Sequence, residues 1–335
     1  MITKPKIAVI GAGAIGNLLG AFWTRAEEDV TMVVRPNRVE ALRASGLRAS
    51  GIGGEFHVFP KVASEIPPDT ELAVFTMKTQ DLPEAARTLK PSLGNATVVT
   101  TQNGVRAREI VLAELGVEPI TATLMLNSSS LEPGTVSYNR QGFTVFGAAT
   151  KEQRSALEEL IVLFEIFSPI FVSHKMEGAV WSKLVVNSLA NSLQALTGKS
   201  LKECAADPAI VSLGVAQLKE SFGVVRAAGI PLIDMPGAPM KFFSNLLRLP
   251  NFVGKYILKK NLGRGEESTT MTSTLQSILR KQSTEIDYLN GEFVRLGEKI
   301  NFLTPVNRAI VETIKKIERT GEFLSSKEIE AMIGK

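Results

Sequence analysis

The stretch "WSKLVVNSLANSL", from Trp181 to Leu193, sets Lys183, Asn187 and Asn191 four residues apart. At about 100° per residue, these positions fall within roughly 80° of one another on a helix. Val185, Leu189 and Leu193 carry the apolar face, while Val186, Ala190 and Leu184 border the polar seam. A lysine beside two neutral amides suits carbonyl chemistry. The ammonium can stabilise charge growing on oxygen and deliver a proton, and asparagine can orient an acid without neutralising the lysine. No carboxylate lies in reach along this helix, so partial burial would draw the lysine's pKa toward neutrality. Spacing alone leaves two readings open, a site wall and a solvated face.

A second group of residues suits a nucleotide. "GAGAIG" places Gly11, Gly13 and Gly16 after the apolar run "KIAVI" and before the helical pattern "NLLGAFWTRA". Glycines there permit a tight turn and close backbone approach, and a helix N-terminus offers free amides to a pyrophosphate. The next strand ends in "VVRPNR", with Arg35 and Arg38 where an acid would select an unphosphorylated ribose. An arginine can fork onto a 2′-phosphate, so NADP is the expected cofactor. A third candidate is Glu285 in "TEIDYLNG", at the start of a helical run; Asp287 lies two positions on, about 200° away, and cannot face the same way.

These groups need a scaffold. Strand patterns at Lys6 to Ile10, Val30 to Val34, Leu72 to Met77, Ala96 to Thr101 and Ile120 to Met125 alternate with helical patterns. They predict an α/β fold, a parallel sheet wrapped by helices in a Rossmann-type dinucleotide-binding domain. "GTVSYN" and "FTVFGA" look like a hairpin pair. From about Met176 helical periodicity dominates, predicting a second, mainly α-helical domain, with limits of 1–174 and 175–335. The stretch from Asp234 to Glu267 reads as an elaborated connection, and Ser325 with Glu328 predicts a capping box opening a last helix.

Composition narrows the classes. At 335 residues, 44% hydrophobic and 21% charged, the chain has the balance of a two-domain globular protein. The +4 net charge is dispersed, which suits small anions, and basic and aromatic residues are not interleaved as a nucleic-acid surface requires. The nearest basic run, Lys255 to Arg264, reads as a solvated face. One cysteine, Cys204, precludes an internal disulfide and suits a reducing cytosol. No membrane span or signal peptide is expected. His57 and His174 lack partners at ligand spacing, so no metal site is expected.

The glycine loop, "FTMKTQ", "TQNG", "WSKLVVNSLAN", "STLQS" and "TEIDYLNG", in this order, resemble the ketopantoate reductase (2-dehydropantoate 2-reductase) family over nearly the whole chain. That resemblance implies NADPH-dependent reduction of a 2-keto acid, the pantothenate-pathway step. By similarity, Lys183 matches the catalytic lysine and Glu285 the glutamate at the substrate and nicotinamide end. Asn187 and Asn191 match substrate-binding asparagines, and Ser273 matches the serine that meets the substrate carboxylate. Lys78 and Asn103 match positions lining the nicotinamide side, Asn103 also facing substrate, and Arg35 matches the 2′-phosphate arginine.

Three features depart from the family's pattern. Lys199 to Leu201 stand where many relatives carry an Asn-Gly pair, Ser277 stands where an aspartate is common, and the connection from Asp234 to Glu267 is longer than in compact members. A reductase of another 2-keto acid is therefore the first alternative. In the related β-hydroxyacid dehydrogenases two residues separate the lysine from the asparagine, against three here. A non-catalytic NADP-binding sensor is the alternative of another class, but it would have no use for Lys183 with Glu285. Any homodimer is expected to form through the helical domain.

Overall fold

The computed structural model describes residues 4–234, 239–246, 250–262 and 271–333. It divides into two compact units, Met1–Met176 and Glu177–Lys335.

The first unit contains twelve strands: β1 (Lys6–Ile10), β2 (Asp29–Val33), β3 (Leu47–Gly51), β4 (Phe56–Val58), β5 (Lys61–Ala63), β6 (Leu72–Phe75), β7 (Thr97–Thr100), β8 (Ile120–Leu124), β9 (Asn127–Ser129), β10 (Thr135–Arg140), β11 (Thr144–Gly147) and β12 (Ile170–Ser173). Its helices are α1 (Ala14–Arg25), α2 (Pro36–Ser45), α3 (Leu82–Leu89), α4 (Ala107–Leu115) and α5 (Arg154–Glu165). The main sheet runs β12-β11-β8-β7-β6-β1-β2-β5, parallel throughout except where β11 meets β8. Helices cover both faces of such a sheet, so its strands are apolar on both sides. Ile7 and Val9 join one apolar cluster with α1 and α5, while Ala8 and Ile10 join the other with α3 and α4. The chain thus forms a Rossmann-type dinucleotide-binding fold.

The expected hairpin is not formed. β10 belongs to a separate four-stranded sheet, ordered β4-β3-β10-β9, while β11 lies in the main sheet. The chain between them crosses over instead of turning back. Met125 N–H donates to Phe143 O at 2.8 Å, and Gly142 passes so close that a Cβ would lie 1.8 Å from Met125 O.

The second unit is helical: α6 (Met176–Thr197), α7 (Leu201–Ala206), α8 (Pro208–Ala227), α9 (Met240–Leu246), α10 (Asn251–Leu262), α11 (Ser273–Leu279), α12 (Asn290–Ile300), α13 (Pro305–Thr320) and α14 (Ser326–Ile333). Asp207 caps α8 just ahead of Pro208, and Ser200 with Glu203 forms a capping box at α7. The box expected at Ser325 and Glu328 also forms, with both residues bonding the other's backbone amide. Of the Asp234–Glu267 stretch, α9 and α10 are helical. Residues 235–238, 247–249 and 263–267 lie outside the described residues, including Arg264 of the basic run. Among the described residues, no helix is long and apolar enough to cross a membrane.

Candidate functional site

In the first unit the candidate residues leave the C-terminal ends of neighbouring strands. Gly11 follows β1 at φ 107°, a region that favours glycine, and its N–H donates to Val33 O at 2.9 Å. Gly16 sits on α1 against this turn, where a Cβ would lie 1.8 Å from Gly11 O. The Thr76 hydroxyl lies 2.9 Å from Ile10 O and 3.0 Å from Gly11 O, tying the loop to the end of β6. Gly13 differs, because beyond its chain neighbours nothing among the described residues lies within 4 Å of a Cβ built there. It caps α1 without a side-chain bond, and the first turn of the helix holds no acid. The loop therefore presents open backbone and free amides to an anion.

The register carries the other residues to the same edge. Ile10 pairs with Val33 and with Phe75, and Phe75 pairs with Thr100. Arg35, exposed and N-terminal to α2, thus stands beside the glycine loop. Lys78 opens a 3-10 turn after β6, and Asn103 follows β7, its carbonyl accepting from Thr79 Oγ1 at 2.9 Å. Gln102, which sequence reasoning passed over inside "TQNG", donates its amide to Phe75 O at 2.8 Å and Met77 O at 3.2 Å. Gln102 thus joins the β6 and β7 loops. These residues fit a dinucleotide: Gly11, Gly13 and Gly16 would receive the pyrophosphate and Arg35 the ribose end.

In the second unit the seam on α6 is no solvated face. Lys183 is 8% exposed and Asn191 3%, while Val186 on the border is 42% exposed. Burial draws the Lys183 pKa from 10.5 down to about 8, and the Glu285 carboxylate opposes that shift. The one acid of α6, Glu177, lies six residues before Lys183, and the fold brings a carboxylate to bear on the lysine from another segment. Glu285 precedes a 3-10 turn, Ile286–Tyr288, and α12 starts only at Asn290. Asp287 pairs instead with Lys315 at 2.7 Å, consistent with the two acids facing apart.

Ser273 opens α11, and its hydroxyl lies 3.3 Å from Asn191 Oδ1. That same oxygen accepts from Thr274 N–H at 3.1 Å and from Thr274 Oγ1 at 2.8 Å. Asn191 Nδ2 donates to Asn187 O at 2.9 Å and to Asn187 Oδ1 at 3.1 Å. Thr274, inside "STLQS", was missed because nothing local marks it; its partner lies 83 residues away. Gln194, one turn beyond Asn191, accepts from Thr272 N–H at 2.7 Å and so also holds the start of α11. At the departures, Lys199 pairs with Asp207 at 3.2 Å, and Ser277 Oγ donates to Ser273 O at 3.0 Å.

A Rossmann-type unit with a glycine loop and a helical unit with a buried lysine define a dinucleotide-dependent oxidoreductase. Comparison with known proteins narrows this class. The family described as "Ketopantoate reductase PanE/ApbA" matches residues 7–151, and its C-terminal counterpart matches residues 175–318. A 2-dehydropantoate 2-reductase of Pyrococcus horikoshii is 27% identical over 94% of this chain and 98% of the relative. A PanE/ApbA family ketopantoate reductase from Ralstonia eutropha superposes with a TM-score of 0.79 at 26% identity, covering 94% of this chain and 99% of that one. A D-mandelate dehydrogenase solved with NADH and anilino(oxo)acetate also reaches 0.79, at 19% identity, over 94% of this chain and 99% of that one, a likeness of fold alone. The chain belongs to the ketopantoate reductase family, and it is an enzyme of that type, an oxidoreductase using NADPH.

Proposed function

We propose that this chain reduces 2-dehydropantoate to pantoate in pantothenate biosynthesis, with Lys183 as the general acid and a preference for NADPH over NADH. The single observation that carries this reading is the buried Lys183, held at a pKa of about 8 in the seam with Asn187 and Asn191. An acid with a pKa near the working pH is both mostly protonated and able to give its proton up. At pH 7 such a group keeps its proton about nine-tenths of the time.

When bound, NADPH supplies the hydride. As the carbonyl carbon accepts it, charge grows on the carbonyl oxygen, where the Lys183 ammonium stabilises it and donates the proton. Burial strengthens that interaction by keeping water from competing. Ser273 meets the substrate carboxylate, and Glu285 accepts from a substrate hydroxyl. Residues 1–174 hold the cofactor through Gly11, Gly13, Gly16, Arg35, Lys78 and Asn103. Residues 175–335 hold the keto acid and any dimer contact. The single, buried Cys204 suits a cytosolic location.

A second reading, reduction of a different 2-keto acid, draws support from Lys199. Its ion pair with Asp207 occupies a segment where many relatives offer an Asn-Gly pair. The test is NADPH oxidation by the purified protein across a panel of 2-keto acids that includes ketopantoate. Ketopantoate is expected to give the highest kcat/KM; a clear preference for another acid selects the second reading.

A further inference from the structure

The geometry points to Asn191 as a positioning residue that fixes which end of the Asn187 amide the substrate meets, with no polar atom of its own left for substrate. The inference rests on the proposed reduction and on Asn187 as a substrate contact. Thr274 N–H is a backbone donor, so the atom of Asn191 facing it must be the oxygen. The Thr274 hydroxyl donates to the same oxygen at 2.8 Å, which fills both of its lone pairs. The orientation of the Asn191 amide follows, and its nitrogen must face Asn187. Both amide hydrogens are then committed, to Asn187 O and Asn187 Oδ1.

Asn187 therefore turns its carbonyl oxygen toward Asn191 and its NH₂ away. An asparagine left to itself can present either end, because the two ends are nearly identical in shape. Here a backbone amide at the start of α11 sets the choice through two side chains. The outcome is a donor, which suits the carboxylate or carbonyl oxygens of a 2-keto acid and would oppose nothing on an anion.

A double-mutant cycle tests this, with KM for the keto acid and for NADPH measured separately. Asn187→Ala is expected to raise KM for the keto acid about tenfold or more, as expected for loss of a hydrogen bond to a charged group. Asn191→Ala is expected to raise it by a comparable or smaller factor, leaving KM for NADPH within about twofold. The double variant should stay within about threefold of the worse single one, because Asn191 acts through Asn187. If Asn191→Ala does not fold, Thr274→Val takes its place. It should raise KM for the keto acid a few-fold in the parent and change nothing in the Asn187→Ala background. Losses that multiply would overturn the inference by showing that Asn191, or Thr274, contributes independently of Asn187. An Asn187→Ala variant with parental KM would overturn it as well, by removing Asn187 as a contact. A parent that reduces no 2-keto acid would overturn the functional reading and this inference with it.

Discussion

The Glu285 carboxylate raises the pKa of the Lys183 ammonium against the burial that draws it down to about 8. The two effects have opposite signs, and burial wins. This balance gives the reaction a definite pH profile. With Lys183 as the proposed general acid, reduction needs the protonated lysine, so kcat/KM for the keto acid should fall above about pH 8, by about tenfold per unit once the lysine is neutral. Glu285→Gln removes the influence that raises the pKa, so the alkaline limb should move to lower pH. A profile flat from pH 7 to 9.5, or a limb moving upward in that variant, would contradict the assignment.

The glycine loop separates a demand of the fold from a demand of the ligand. At Gly16 an added methyl meets Gly11 O at 1.8 Å, so Gly16→Ala should lower the melting temperature and weaken NADPH binding together. At Gly13 the methyl meets nothing among the described residues beyond its chain neighbours. Gly13→Ala should therefore leave the melting temperature near that of the parent while raising Kd for NADPH about tenfold or more, because it intrudes where a pyrophosphate approaches the helix. Calorimetry and cofactor fluorescence titration check the pair.

Arg35 stands at the end of β2 beside the loop, with no acid in place of it. A charge-assisted bond to a phosphate contributes on the order of 1.5 to 3 kcal/mol. The parent should accordingly favour NADPH over NADH by about tenfold or more in kcat/KM, and Arg35→Asp should erase or reverse that preference. Equal kcat/KM for the two cofactors in the parent would remove Arg35 from this role.

Continuous apolar strands and capping signals were legible in the sequence because their causes are local. β1 was read to the residue, and β2, β6, β7 and β8 to within two. β3, β4, β5, β9 and β12 were missed. "FHV" and "KVA", three residues each, are too short to show a period, and "IFVS" of β12 is a strand-forming run that the sequence reading passed over. "LRASG" carries little strand preference, and β3 is a strand because distant β10 pairs with it, Arg48 against Thr135. The expected hairpin failed on the same ground, since β10 and β11 answer to different long-range partners. Helical spacing revealed the Lys183 seam, but spacing reports which residues share a face and not what lies against it. The Glu285 carboxylate beside Lys183 and the Thr274 bonds to Asn191 come from segments more than 80 residues away, so only the fold reveals them.

Glu285 also offers a route to substrate identity. Ketopantoate carries a hydroxyl at C4, and an ionised carboxylate is a strong acceptor for it. A substrate without that hydroxyl should lose about 10- to 150-fold in kcat/KM with the parent enzyme. Glu285→Ala should weaken ketopantoate turnover strongly and change turnover of the deoxy analogue little. In this cycle of two enzymes and two substrates, a coupling energy below ~0.5 kcal/mol would mean that Glu285 does not recognise the hydroxyl.

The proposed chemistry keeps Lys183 buried at some cost to stability. With its pKa near 10.4 in the unfolded chain and about 8 in the folded one, unfolding takes up a proton between those values. Stability therefore rises with pH across that window, and below it the buried charge weakens the fold by on the order of 3 kcal/mol. Lys183→Met removes this charge, although it leaves Glu285 without its cation. The decisive measurement is kcat for ketopantoate in Lys183→Met at saturating NADPH, alongside its melting temperature at pH 7. The expected result is a loss of about 10² to 10⁴ in kcat, with NADPH binding intact and a melting temperature no lower than the parent's. Turnover within a few-fold of the parent would contradict the account and leave Lys183 a buried cation without a catalytic role.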